Sequence, residues 1–326
     1  MAELISDDKM LTYIDRIFGE QRPITADIFL TNYCNNDCPY CTYKRWDFDA
    51  DAKSMSFEEF KRYADRLVAL GVEGFILTGG GEPTIAKDFE QITAWLTEQK
   101  LHFGLNTNFN KMRLCKPDYL KVSLDAWDEA SYKDNRGVEA YEKVRSNILS
   151  YASWKKQNSP ETTLGIQMLA KRMGDVFKFY EANKDLPVDY ISIRPMESTC
   201  GSYYKNLINT DAYADLLPEN IIKAINQLSA LDKRVIKNFK WSLLDRQEST
   251  CTANWAQIAL NERGEVMYCC HKPYQIIGHI MDDDILEKKR LATTDMSMCD
   301  IPCRLTAPNM EVKRITSALE HSSRFI

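Results

Sequence analysis

Three cysteines crowd one eight-residue stretch, Cys34-Asn35-Asn36-Asp37-Cys38-Pro39-Tyr40-Cys41, in a C-x3-C-x2-C spacing. A cubic iron–sulfur cluster has four irons and normally takes four thiolates. Three thiolates this close can hold three corners and leave the fourth iron open. An open coordination position is where a metal centre acts on a bound molecule, by the logic that separates catalytic from structural zinc. The other reading is a zinc knuckle, although zinc sites usually pair C-x2-C with a second pair and close all four positions. A second stretch, Thr78-Gly79-Gly80-Gly81-Glu82-Pro83, combines glycines that let the backbone approach a ligand with a fixed acceptor, Glu82.

The 326 residues suit one large domain, or one domain with a small addition, and 44% apolar residues are enough for a substantial core. A net charge of −5 gives no sign of a general nucleic-acid binder. No apolar run approaches the roughly 18 residues of a membrane span. The acidic start of the chain lacks the basic-then-apolar pattern of a signal peptide. A cytoplasmic protein is expected, in which ten cysteines argue for metal ligation or redox work rather than disulfides.

The elements that must position these residues follow from periodicity. Leu11, Ile14, Ile17 and Phe18 recur at helical spacing and predict a helix within residues 1–20, broken by Arg22-Pro23. Ile28-Phe29-Leu30 reads as a buried strand leading into the cysteine loop. Ser56-Phe57-Glu58-Glu59 is a capping box that starts a helix with Phe60, Tyr63, Leu67 and Leu70 on one face, closed by Gly71. Strands are predicted at 74–77, 102–105, 120–125, 163–168 and 190–195. Helices are predicted around Phe89–Leu96, Tyr141–Tyr151, Val176–Tyr180 and Ile221–Leu231. Short apolar strands alternating with amphipathic helices predict an α/β fold with a parallel sheet. The cysteine loop and the glycine run both fall at C-terminal strand ends, where such folds build their sites. After residue 235 the pattern changes to short strands and loops holding half of the cysteines. Trp255–Leu260 and Val266–Tyr268 predict a hairpin with Gly264 in its turn.

The cysteine spacing, with Tyr40 just before the third cysteine, resembles the signature of the radical S-adenosylmethionine (radical SAM) superfamily. The resemblance implies a partial (β/α)6 TIM-like barrel over 21–235. It implies that Cys34, Cys38 and Cys41 bind a [4Fe–4S] cluster whose open iron is chelated by the amino and carboxylate groups of S-adenosylmethionine. Gly80-Gly81-Glu82 matches the family segment that binds the amino group, and Tyr40 helps seat the adenine. Ser123 resembles a polar residue that meets the ribose or carboxylate. Asn108 is a candidate for the ribose and Arg194 for the carboxylate, with polar loop residues as the plain alternative for all three. Cys251, twelve residues, Gly264, four residues and Cys269 resemble the opening of the SPASM/twitch extension. Cys299 and Cys303 then complete four ligands of an auxiliary [4Fe–4S] cluster, in a β-hairpin-containing extension over 236–310 followed by a tail, 311–326. The Cys299-x3-Cys303 spacing departs from the C-x2-C of one twitch enzyme, and a four-cysteine zinc ribbon is the alternative.

Three cysteines remain. Cys115 reads as a buried apolar residue. Cys270 can replace Cys269 as a ligand, and Cys200 follows the sixth strand. Either is a candidate hydrogen-atom donor to a substrate radical. His271 is at most a hydrogen-bond partner. The resemblance implies a low-potential electron donor such as flavodoxin or ferredoxin. It also implies a 5′-deoxyadenosyl radical that abstracts hydrogen from substrate, ending in oxidation, epimerisation or bond formation. Only 33 residues precede Cys34, too few for a fused leader-binding domain. A small polar substrate (sugar, aminocyclitol or nucleotide) is therefore expected ahead of a ribosomal peptide. A non-enzymatic iron–sulfur or zinc protein is the rival of another class.

Overall fold

The computed structural model describes residues 13, 15–41, 43, 53–196, 218–237, 251–296, 299, 303 and 305–322. Cys200 and most of the predicted N-terminal helix lie outside them; a helical turn at Arg16–Glu20 is what is described there.

Six parallel strands follow the predicted order: β1 (Thr25–Phe29), β2 (Gly74–Thr78), β3 (His102–Thr107), β4 (Tyr119–Ser123), β5 (Thr163–Ala170) and β6 (Tyr190–Pro195). A short β7 (Val235–Ile236) adds in parallel to β6. The connecting helices are α1 (Phe57–Ala69), α2 (Phe89–Glu98), α3 (Glu129–Arg136), α4 (Tyr141–Asn158), α5 (Met173–Asn183) and α6 (Pro218–Leu231). The capping box at α1 forms as predicted: Ser56 accepts from the Glu59 amide while Glu59 accepts from the Ser56 amide. Helix α3 was not predicted, yet its signals are local. Asp128 and Ser131 cap each other reciprocally, and Gly137 stops the helix in the left-handed region.

The predicted hairpin forms β8 (Gln257–Leu260) and β9 (Glu265–Met267), with Gly264 at φ +78° in the turn and β10 (Ile276–His279) beyond. Trp255 and Ala256, predicted as the start of the strand, lie instead in a helical turn, Asn254–Ala256. Strand β8 pairs in parallel with β1, Thr25 opposite Gln257. All ten strands therefore form one sheet, in the order β10-β9-β8-β1-β2-β3-β4-β5-β6-β7. Among the described residues its ends are not joined, so the barrel they form is open. The residues after 235 contribute strands to that same sheet, and α7 (Ile285–Leu291) and α8 (Thr306–Ser322) complete the chain.

Strand alternation sorts the faces. Ile28, Leu77, Leu105, Val122, Ile166 and Ile193 pack under the helices in the main core. The alternate positions Ile76, Lys121, Ser123, Ser192 and Arg194 are half-buried and form the inner face. Strand β4 was predicted to run to Asp125. It stops at Ser123 because Asp125 takes φ +52°, and the Leu124 and Asp125 amides both donate to Gln167 O. Cys115 is buried in the main core, as its solitary position suggested. Among the described residues no helix is long and apolar enough to cross a membrane.

Phe60 is fully buried and packs edge-on to Trp95, ring centroids 6.1 Å apart, joining α1 to α2. Phe60→Ala is expected to lower unfolding free energy by about 3–5 kcal/mol. A denaturant titration giving less than about 1 kcal/mol would place the α1–α2 contact outside the cooperative core.

Candidate active site

The cysteine loop leaves β1 and is held on three sides. On the β2 side, Gly81 N donates to Thr31 O (2.9 Å) and Glu82 N to Tyr33 O (2.7 Å). A Cβ at Gly81 would lie 1.8 Å from Tyr33 O, so no other residue fits this approach. On the β3 side, Asn108 Nδ2 donates to Asn35 Oδ1 (2.7 Å) and lies 3.9 Å from Cys34 Sγ, and Asn110 Nδ2 donates to Asn36 Oδ1 (3.2 Å). On the third side, at the end of α3, Arg136 O accepts from Asp37 N (2.8 Å). The residues between the cysteines are thus the loop's anchors. Cys34 is exposed, and Cys38 and Cys41 are half-buried. Burial pushes the Cys34 thiol up to about 11, so loading metal there releases protons.

Beneath Cys38 lies an ion pair that periodicity gave no reason to expect. Arg136 Nη2 is 2.6 Å from Asp125 Oδ2, with only 1% of the Asp125 side chain exposed. Arg136 Nη1 lies 3.5 Å from Cys38 Sγ. Asp125 also accepts from Tyr40 Oη (2.9 Å) and Leu169 N (2.7 Å), so its left-handed turn at the end of β4 aims one carboxylate at three elements. Lys171 Nζ sits 5.4 Å from the centre of the Tyr40 ring. The sequence signal for Arg136 was its position at the end of a capped helix, just before Gly137.

Glu82 is buried. Its Oε1 accepts from Thr84 N, Thr84 Oγ1 and Thr107 Oγ1, and its Oε2 from Asn108 N at 2.7 Å. Burial pushes its carboxyl up, although all four donors pull it down. These donors are neutral and Oε2 accepts one bond, so an ammonium at Oε2 would supply the missing countercharge. That fits the amino group of S-adenosylmethionine. Gly80 faces the Tyr43 ring, 3.3 Å from where its Cβ would be. Asn108 reaches the cysteine loop through its Nδ2, on Asn35, while its Oδ1 accepts from Asn110 N (2.9 Å) in a local turn. Ser123 and Arg194 stand half-buried at the inner ends of β4 and β6.

The C-terminal cysteines gather elsewhere. Cys251 and Cys303 pack on one small core with Ile24, Trp255 and Leu305. Cys251 is pushed up to about 11 by burial, with the neighbouring Cys303 and Cys299 adding to it. Cys269 is pushed up to about 12 by burial, with Cys270 and Cys303 adding and His271 opposing, first through its charge and then through its backbone N–H. Asn309 Nδ2 donates to Cys251 Sγ (3.4 Å) and Leu305 N to Cys303 Sγ (3.5 Å). Cys270 faces the other way, against Phe29, Ala259, Met267 and Tyr43. Cys269 opens a turn in which Lys272 N donates back to Cys269 O (3.0 Å). Cys269 lies beside Cys303, and Tyr43 neighbours Cys270, Cys41 and Cys269. Among the described residues no group of three or more His, Cys, Asp or Glu side chains is placed to hold a metal ion.

Residues 28–153 match the family model described as the Radical SAM superfamily. A probable GTP 3′,8-cyclase of Pyrococcus abyssi is 33% identical over 143 residues, 41% of this chain and 45% of that relative. The matched stretch thus spans less than half the length of that relative. Among solved structures, Streptococcus suis SuiB bound to precursor peptide SuiA aligns with a TM-score of 0.60 at 13% identity, covering 86% of this chain and 68% of SuiB. anSMEcpe with bound AdoMet and a peptide aligns with a TM-score of 0.56 at 16% identity, covering 83% and 80%. The last two likenesses are of fold.

Arg136→Met would leave Asp125 buried without its cation. The expected loss is about 3–5 kcal/mol of unfolding free energy. Adding Asp125→Asn should recover much of it. If the single variant unfolds at the parent's denaturant midpoint, the pair does not hold the loop.

Proposed function

Because residues 28–153 are a radical SAM domain, we propose that this radical SAM enzyme acts on a small polar substrate of the sugar, aminocyclitol or nucleotide class, held inside the open barrel. S-adenosylmethionine at a [4Fe–4S] cluster supplies, on one-electron reduction, a 5′-deoxyadenosyl radical that takes a hydrogen atom from substrate. Cys34, Cys38 and Cys41 would hold three irons of that cluster. Glu82 would accept the amino group of S-adenosylmethionine, while Gly81 keeps the β2 end close against the loop. Tyr40, tied to Asp125, would lie along the adenine, and Ser123 and Arg194 would meet ribose or carboxylate. Cys251, Cys269, Cys299 and Cys303 would hold an auxiliary [4Fe–4S] cluster. A flavodoxin or ferredoxin in the cytoplasm would be the electron donor.

The observation that carries the substrate class is the polar inner face. Asn106 of β3, opposite Lys121 of β4, has a buried Oδ1 with no hydrogen-bond partner among the described residues. Asp27 of β1 is buried on the same face and accepts from Gln257 Nε2 at 2.6 Å. An unpaired buried acceptor costs its desolvation, and a substrate hydroxyl or amine would satisfy it. A relative named for cyclising GTP agrees with a nucleotide-like substrate. Its name denotes ring closure, so bond formation stands beside oxidation and epimerisation as the outcome. For epimerisation, Cys270 is the candidate donor. The peptide-bound neighbours share only the fold, and a ribosomal peptide is the second reading.

Anaerobic reconstitution is expected to load about eight irons per chain, falling to about four when Cys34, Cys38 and Cys41 become Ala. Loss of 5′-deoxyadenosine formation should accompany the fall. Four falling to none would remove the auxiliary cluster. Deuterated nucleotides, sugars and aminocyclitols should then be screened for label transfer into 5′-deoxyadenosine. Asn106→Leu should raise KM for the active compound at least tenfold while leaving substrate-free S-adenosylmethionine cleavage unchanged. Label transfer from peptides alone would sink the small-molecule reading.

A further inference from the structure

Lys289 lies on α7, far from the inner face, and its side chain is 2% exposed. Its Nζ donates to Asn254 Oδ1 (3.2 Å) and Tyr268 O (3.0 Å). Both acceptors are neutral, and the ammonium has a third proton to place. Among the described residues no carboxylate pairs with it. The ionisable groups that act on it are thiols: Cys269, Cys251 and Cys270. The Nδ2 of Asn254, on the side chain whose oxygen holds Lys289, is itself a buried donor with no partner among the described residues. A buried ammonium and an orphaned amide donor thus share one position beside Cys251 and Cys269. Charges and donors are seldom buried without a partner. Here the absent partner must be anionic, accept hydrogen bonds, and lie among the cysteines.

We propose that Lys289 is the counter-cation of an iron–sulfur centre held by Cys251, Cys269, Cys299 and Cys303, and that it sets that centre's reduction potential; this rests on the auxiliary-cluster reading above. Four thiolates leave such a centre net anionic, and one-electron reduction adds a further negative charge. A fixed cation stabilises the reduced form more than the oxidised one and raises the potential. Asn254 serves as a positioning residue, its Oδ1 holding the Lys289 ammonium and its Nδ2 donating toward the centre. Lys289 acts only through the centre, so its removal moves the potential without removing a ligand. Tyr268 O fixes the ammonium one residue before Cys269, within the turn that supplies the ligand.

The test uses the full chain with Cys34, Cys38 and Cys41 changed to Ala, so that any remaining iron belongs to the C-terminal cysteines. Iron and sulfide per chain are measured first, then the potential by a redox titration followed by EPR. The parent is expected to keep its iron. Lys289→Met should keep it too, with the reduced-to-oxidised ratio at a fixed potential falling about tenfold, a shift of about 59 mV to more negative values for a one-electron couple. Lys289→Arg, which keeps the charge, should stay near the parent. Lys289→Gln, which keeps a donor without charge, should follow Lys289→Met and also stands in should the Met variant not fold. Unchanged potentials in the neutral variants, with iron retained, would overturn the role of Lys289 and leave the auxiliary cluster standing. No iron in the parent, or zinc in its place, would overturn the cluster reading and the Lys289 role with it.

Discussion

Strand β1 is hydrogen-bonded in parallel on both edges, to β2 on one side and β8 on the other. Thr25 lies opposite Gly74 and also opposite Gln257. That double ladder sets the distance between everything chemical in the molecule. Through β2 it brings Gly81 and Glu82 against the cysteine loop. Through β8 and the hairpin it brings Cys269 and Cys270 to the other flank of the same strand. A one-residue slip in either pairing would turn every inner side chain outward. Tyr43, with Phe29 edge-on at 5.3 Å, stands between the two flanks.

The second constraint is charge taken out of water. Asp125, Arg136, Glu82 and Lys289 are all buried, and each ion removed from solvent costs several kcal/mol unless partnered. Asp125 and Arg136 answer each other. Glu82 has neutral donors on both oxygens, and Lys289 has neutral acceptors. On the reading proposed above, an ammonium would complete the carboxylate and an anionic centre would complete the ammonium, at the two places where the cysteines gather. Asn106, on the inner face between β2 and β4, is the neutral version of the same signal.

Much of this was legible in residue order because it is encoded locally. Three cysteines within eight residues are close whatever the fold. Ser56 and Glu59 cap a helix through bonds three residues apart. Gly81 is demanded by the backbone it touches, and Gly264 by a turn. The run of strands and helices to Pro195 follows from side-chain period alone. Helix α3 was equally local, its Asp128–Ser131 box and Gly137 stop being readable, but its apolar stripe is too short to stand out by periodicity.

What residue order could not hold is which side chains meet across the sheet. Asn108, a candidate ribose contact by its place after β3, also braces the cysteine loop through Asn35. Arg136, 98 residues from Cys38, reaches its sulfur only because β4 ends in a left-handed turn at Asp125. Cys269 and Cys270 are indistinguishable by spacing; only the fold places Cys270 against Phe29, Ala259 and Met267, beside the turn that Lys272 N closes on Cys269 O. Lys289 is buried where α7 packs against β10 and the helical turn at Asn254–Ala256. Spacing along the chain determines ligand sets and helix ends, because those contacts span a few residues. Long-range pairing decides partners, faces and countercharges, because burial exists only once the strands have paired and the helices have packed on them.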